Sequence, residues 1–192
     1  MKKLIIIISF PLFFISCVHP IWKREFIEKS IPFNHYDSVI NSLQRDNSKL
    51  LILYYSVGFW AHNYICIAYN NGKWSKISYI YTGVSSKTTK PYTISKIKLN
   101  KIKGDSIFNI FIANKFWRIK DNEKLSDLDE REDTCGSLTD KSISYQLTMV
   151  YKKKQFTREY FDPEYWESVE CTQKSKDRQI FIACKNAIFF AK

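Results

Sequence analysis

The side chains able to do chemistry are few and scattered. The chain has three histidines: His19 beside Cys17, His35 near an expected helix start and His62 at an expected strand edge. No spacing sets two of them on one face, as a metal site would need. There is no C-x-x-C pair, H-E-x-x-H, G-x-S-x-G or phosphate-cradling glycine loop, so zinc, serine-hydrolase and nucleotide chemistry have no local signature. Glu159, Asp162 and Glu164 are the carboxylates closest to an acid pair. Glycoside cleavage needs two carboxyl groups at a set separation across a cleft, and surface charge is the preferred reading of these three. Asp121, Glu123, Asp127, Asp129, Glu130, Glu132 and Asp133 crowd one stretch. It lacks the glycine and the oxygen-ligand spacing of a calcium loop and reads as solvated. No catalytic residue, no metal site and no cofactor is expected.

The first seventeen residues decide where the rest would act. Lys2 and Lys3, the apolar run from Leu4 to Ile15 and small Ser16 form the three parts of an export signal. A spanning helix needs about 20 apolar residues; this run is shorter, contains Pro11 and is soon followed by His19, Lys23 and Arg24. Phe14-Ile15-Ser16-Cys17 resembles the lipobox of bacterial lipoproteins, with Phe14 where leucine is usual. The resemblance covers residues 1–17 alone. It implies that Cys17 receives a diacylglycerol, that the signal is removed before it, and that the new amino group is acylated. More than one acyl chain makes such anchorage stable. Val18 stands where aspartate would resemble an inner-membrane retention signal in some bacteria, so the expected location is the outer membrane, facing the periplasm.

Export changes how the remaining chemistry is read. Cys66, Cys135, Cys171 and Cys184 are an even number in a compartment that permits disulfides. Cys135 with Cys171 is the favoured pair, because both lie in polar segments at one end of a predicted hairpin, whereas Cys66 and Cys184 read as buried thiols. Thirty Lys and Arg against 19 Asp and Glu give a net charge of +11, and losing Lys2 and Lys3 leaves the chain strongly basic. Outside the cytoplasm that charge faces lipid phosphates, acidic envelope polymers or an acidic protein rather than nucleic acid. Lys87, Lys90, Lys96, Lys98, Lys101 and Lys103 are the candidate surface for an anionic partner; the simpler reading is a solvated sheet face with its loops.

The elements that must position these residues follow from periodicity. Residues 18–33 show no clean period and read as a tether, with the alternative that their aromatics pack on the domain. Residues 34–192 are long enough for a single domain. A helix capped by Asn34 brings Val39, Ile40 and Leu43 to one face. Lys49 to Val57 reads as a buried strand. Asn71-Gly72 predicts a tight hairpin, with Tyr69 opposite Trp74, Cys66 opposite Ile77 and Tyr64 opposite Tyr79. Tyr92 to Leu99 alternates Ile97 and Leu99 with Lys96 and Lys98, and Ser106 to Ile119 is assigned to a helix. Ile143 to Tyr151 and Phe156 to Phe161 form a second hairpin about Lys152-Lys153-Lys154, and Pro163 starts a helical turn. Ser175 caps a last helix whose stripe is Ile180, Phe181, Cys184, Ala187 and Ile188.

The expected fold is therefore α+β: an antiparallel sheet built from hairpins, with an N-terminal and a C-terminal helix packed on it. The expected function is noncatalytic binding or accessory work by a membrane-anchored envelope lipoprotein, resembling an immunity protein in size and in the lack of catalytic motifs. The alternative is an envelope hydrolase acting on glycan or peptide. A concave site joining His62 or two carboxylates to a polarising group would favour the hydrolase.

Overall fold

The computed structural model of the chain describes residues 21–34, 38–57, 61–82, 93–120, 143–168 and 174–192. Helix α1 spans residues 21–29. It is followed by β1 (Ile31–Pro32), α2 (Ser38–Asp46), β2 (Lys49–Val57), β3 (Ala61–Asn70), β4 (Lys73–Thr82) and β5 (Thr93–Leu99). Then come α3 (Lys101–Ala113), a 3-10 turn (Phe116–Arg118), β6 (Ile143–Tyr151), β7 (Lys154–Phe161), α4 (Pro163–Ser168) and α5 (Lys176–Phe189). The strands make one seven-stranded sheet in the order β1-β7-β6-β2-β3-β4-β5, each neighbour antiparallel. This is the expected α+β architecture.

Period-two alternation divides the strands between two cores. On one face Leu51, Leu53, Ile65, Ile67, Leu147 and Met149 meet α1, α3 and α5 through Trp22, Phe26, Phe108, Phe111, Phe181 and Ile188. On the other face Leu50, Ile52, Cys66, Ile77 and Val150 meet Ile40 of α2. Register agrees with the hairpin expectation: Tyr69 lies opposite Trp74, Cys66 opposite Ile77 and Tyr64 opposite Tyr79. A one-residue slip would exchange the two cores, so the pattern enforces the register.

α5 lies across the strands. Tyr160, Tyr145 and Tyr55 occupy one row of β7, β6 and β2, and Phe181, Lys185 and Phe189, four residues apart, cover them in that order. The ring centroids are 4.5 Å apart for Tyr160 and Phe181, and 6.1 Å for Tyr55 and Phe189; the Lys185 ammonium is 4.2 Å from the Tyr145 centroid.

Three sequence expectations are revised. Residues 21–29, inside the stretch read as a tether, form a helix with Trp22 and Phe26 buried on the domain. The helix assigned to Ser106 through Ile119 instead runs Lys101–Ala113, because the Asn100 side chain accepts the Lys103 N–H at 2.8 Å and so caps it earlier. Gly104 permits that start. A Cβ there would lie 2.1 Å from Trp74 Cγ, so only glycine lets α3 approach β4 this closely.

The expected disulfide and outer-membrane character is the third. Among the described residues the cysteines are Cys66 and Cys184, both buried as expected and neither in a disulfide. They belong to the cores on opposite faces, with the sheet between them, so they are not placed to pair with each other. Cys135 and Cys171 lie outside the described residues. No helix among the described residues is long and apolar enough to cross a membrane.

Candidate functional site

An open pocket of about 310 Å³ is lined by Lys29, Trp117, Arg118, Ile119, Lys120, Phe156 and Arg158. Three elements build it. Lys29 closes α1, the Trp117-Arg118 pair forms the 3-10 turn that ends the α3 region, and Phe156 with Arg158 alternates onto the same face of β7. Lys115 at φ 49° precedes the turn and redirects the chain from α3.

The pocket is held by groups that have other duties. Arg158 Nε donates to the Ile119 carbonyl at 2.7 Å, and its guanidinium sits 3.9 Å from the Phe156 centroid. Tyr160 Oη donates to the Lys120 carbonyl at 2.8 Å, and the Lys120 N–H donates to Asp177 at 3.0 Å. Arg118 pairs with Glu25, whose carboxyl is held below its ordinary pKa chiefly by that hydrogen bond. Trp117 is 1 % exposed. Its indole N–H faces the Glu25 carboxylate and helps lower the same pKa, while lacking an acceptor in good hydrogen-bond geometry.

The result is four cationic side chains around two aromatic rings, with no carboxylate or histidine among the lining residues. Lysine and arginine together suit phosphate or carboxylate oxygens, arginine through paired N–H donors and lysine as a point charge. The two rings are buried behind the cations, and the Arg158 guanidinium stacks on Phe156, so they brace the pocket wall.

The predicted site residues are placed elsewhere. Lys96 and Lys98 are exposed on edge strand β5, on the face opposite Leu99, and Lys101 and Lys103 are exposed in the first turn of α3. Lys87, Lys90 and Cys17 lie outside the described residues, as does the acidic stretch beginning at Asp121. His62 is on β3, opposite Ser56 and Tyr81.

The three carboxylates near the end of β7 do not converge. Glu159 accepts the Ser144 hydroxyl at 2.6 Å, Asp162 accepts the Ile143 N–H at 2.9 Å, and Glu164 pairs with Lys185 across α4 and α5. Arg178, 2 % exposed, makes the parallel bridge to the Trp166 carbonyl and to Glu167. These buried cations dock α4 onto α5, and each has a structural partner. Among the described residues no three His, Cys, Asp or Glu side chains cluster as a metal site.

A third enclosed cation is Lys49. Its ammonium is 4.7 Å, 5.7 Å and 5.0 Å from the centroids of Tyr69, Trp74 and Phe108, and burial lowers its pKa. The cage is filled by the chain's own lysine and serves packing.

Sequence reasoning missed the pocket because its cations come from residues 29, 118, 120 and 158. The one local signal was Trp117-Arg118-Ile119-Lys120, an aromatic and basic alternation just after a helix. Comparison with known protein families, with curated proteins and with solved structures gives no match.

Proposed function

We propose that the chain is a lipid-anchored cell-envelope lipoprotein, held through Cys17, that works by noncatalytic recognition of an anionic envelope component or an acidic protein. The lipobox-like Phe14-Ile15-Ser16-Cys17 supports the anchor. The observation carrying the binding reading is the composition of the pocket: exposed Lys29 and Lys120 offer charge to an anion, beside Arg118 and Arg158, which also hold Glu25 and the Ile119 and Thr157 carbonyls. Its lining holds no histidine or carboxylate, the groups most often used for general acid and base work.

The test is capture of the C-terminally tagged chain from gently solubilised native membranes, alongside a K29E/K120E chain. Both lysines are exposed, so the fold is expected to persist. A stoichiometric anionic partner retained by the parent chain and lost by the variant supports the reading. Equal recovery of the same partner would remove the pocket from it. Turnover of envelope glycan or peptide by the purified chain would replace binding with the hydrolase alternative.

A further inference from the structure

The tight turns and strand ends gather lysines at one end of the sheet. The register places the Asn71-Gly72 turn, the Lys152-Lys153 turn, the start of β2 and the end of β5 side by side: Lys49 pairs with both Tyr69 and Tyr151, Asn70 with Lys73, and Trp74 with Leu99. Lys73, Lys98, Lys101, Lys103, Lys152 and Lys153 are all exposed there, and none has an ion-pair partner among the described residues. Asp105, in α3 beside this end, accepts the Trp74 indole N–H at 2.9 Å.

Local stability does not explain this arrangement. Lys101 and Lys103 occupy the first turn of α3, where the helix dipole favours carboxylates over cations. Lys152 and Lys153 adopt φ 50° and 60°, where asparagine or glycine is preferred. Ile102, between the α3 lysines, is 81 % exposed. An apolar side chain flanked by ammonium groups matches the boundary between acyl chains and phosphates.

The position of α1 joins this end to the anchor. The Trp22 ring lies 5.1 Å from Tyr151 and 6.0 Å from Phe108, and the charge of Lys23 contributes to the lowered pKa of Lys49. The start of α1 is therefore at the basic end. Only three residues lie between Cys17 and Ile21, four Cα steps with a reach of roughly 14 Å at full extension.

We infer that the basic end of the sheet, centred on Lys73, Lys98, Lys101, Ile102, Lys103 and the Lys152-Lys153 turn, lies directly on an anionic phospholipid bilayer. The orientation rests on the lipoprotein reading; the charge complementarity stands without it. The domain is then seated by its lysine turns, with Ile102 at the acyl boundary, and the opposite end of the sheet faces away. Each lysine near such a surface changes binding by about fivefold, and salt weakens the attraction.

The experiment is lysine acylation footprinting of the full chain on phosphatidylcholine vesicles with and without phosphatidylglycerol, read by mass spectrometry. Lys73, Lys98, Lys101, Lys103, Lys152 and Lys153 are expected to react at least about fivefold more slowly on the anionic vesicles. Exposed Lys174, just before α5, and Lys176, its first residue, should be unchanged, and high salt should remove the difference. The K101Q/K103Q chain, altered only on the surface, should lose protection at Lys73 and Lys98 while keeping its circular dichroism spectrum. Equal rates on both vesicles, or uniform slowing of all lysines, overturns the inference. Protection in native envelopes that is absent on anionic vesicles assigns the surface to a protein partner and also overturns it. Intact mass separates the two readings: acyl mass at Cys17 with unprotected lysines leaves the anchor standing and removes the docking surface. Protected lysines without that mass keep the surface and remove the anchor.

Discussion

The two tight hairpins follow one plan with opposite residue choices. Asn71 and Gly72 take φ 47° and 78°, and Lys152 and Lys153 take 50° and 60°. Both turns present an aromatic neighbour to the helix-covered face: Trp74 packs against α3 and Tyr151 against α1. Asparagine and glycine accept left-handed backbone readily, whereas other L-residues lose about 1–2 kcal/mol each. Lys152 regains a fraction of this from the Tyr151 ring, 5.8 Å away. The comparison teaches that β3-β4 is specified by its own turn, whereas β6-β7 is specified by what packs on it. The second turn is thereby free to carry charge at a cost in local stability.

The largest expected effect comes from removing that packing. Trp22→Ala deletes a buried ring against Tyr151, Phe108 and Trp117, and should lower stability by about 3–5 kcal/mol in urea titration. A loss below about 1 kcal/mol would mean that the second hairpin holds its register without α1. Gly104→Ala challenges the first hairpin from its helix side: the new methyl meets Trp74, with an expected loss of about 1–3 kcal/mol from overpacking. Unchanged stability there would show that α3 can shift without disturbing β4. Gly72→Ala should cost about 1–2 kcal/mol, because its φ of 78° is unfavourable to a side chain.

The fourth change has the opposite sign. Lys152→Asn with Lys153→Gly gives the second turn the chemistry of the first and should raise stability by about 1 kcal/mol. The same chain should bind anionic vesicles less well. A gain in both properties would break the trade between turn strain and charge placement.

The smallest effect is on pH dependence in the strands linking the hairpins. Burial raises the pKa of Tyr55 and Tyr145, the latter also through Glu164 and Asp162. Their contribution is fully present below the unfolded value of about 10 and is lost as pH rises through the higher folded values. Tyr145→Phe should therefore flatten the alkaline decline in urea midpoint relative to the parent chain. An identical slope would place the decline in other groups.

Local pattern made most of the sheet readable. Alternation set the faces of β6 and β7, a dense apolar run marked β2, and Asn71-Gly72 set the β3-β4 register, because these signals act between near neighbours. Ser175 was legible as a cap, and its hydroxyl accepts the Arg178 N–H at 3.4 Å. The start of α3 was misplaced because Gly104 ordinarily argues against helix, and its reason for being there is Trp74, thirty positions earlier. α1 was hidden for a related cause: Trp22 and Phe26 mark a buried face only once Tyr151 and Trp117 supply its other half. The pocket was illegible on the same grounds. Lys29 and Arg158 carry no sign of proximity, and only the β1-β7 pairing after α1 brings them together.

The transverse course of α5 also sets the order in which the molecule can be completed. Lys76 of β4 donates to the carbonyls of Phe189 and Ala191 at 3.0 Å and 2.9 Å, so the final residues are tied back to a strand from the first half of the chain. A ribosome releases that strand long before the residues that secure it. Until Phe189 and Ala191 emerge, the Lys76 ammonium lacks both carbonyls and Tyr55 lacks the ring that covers it.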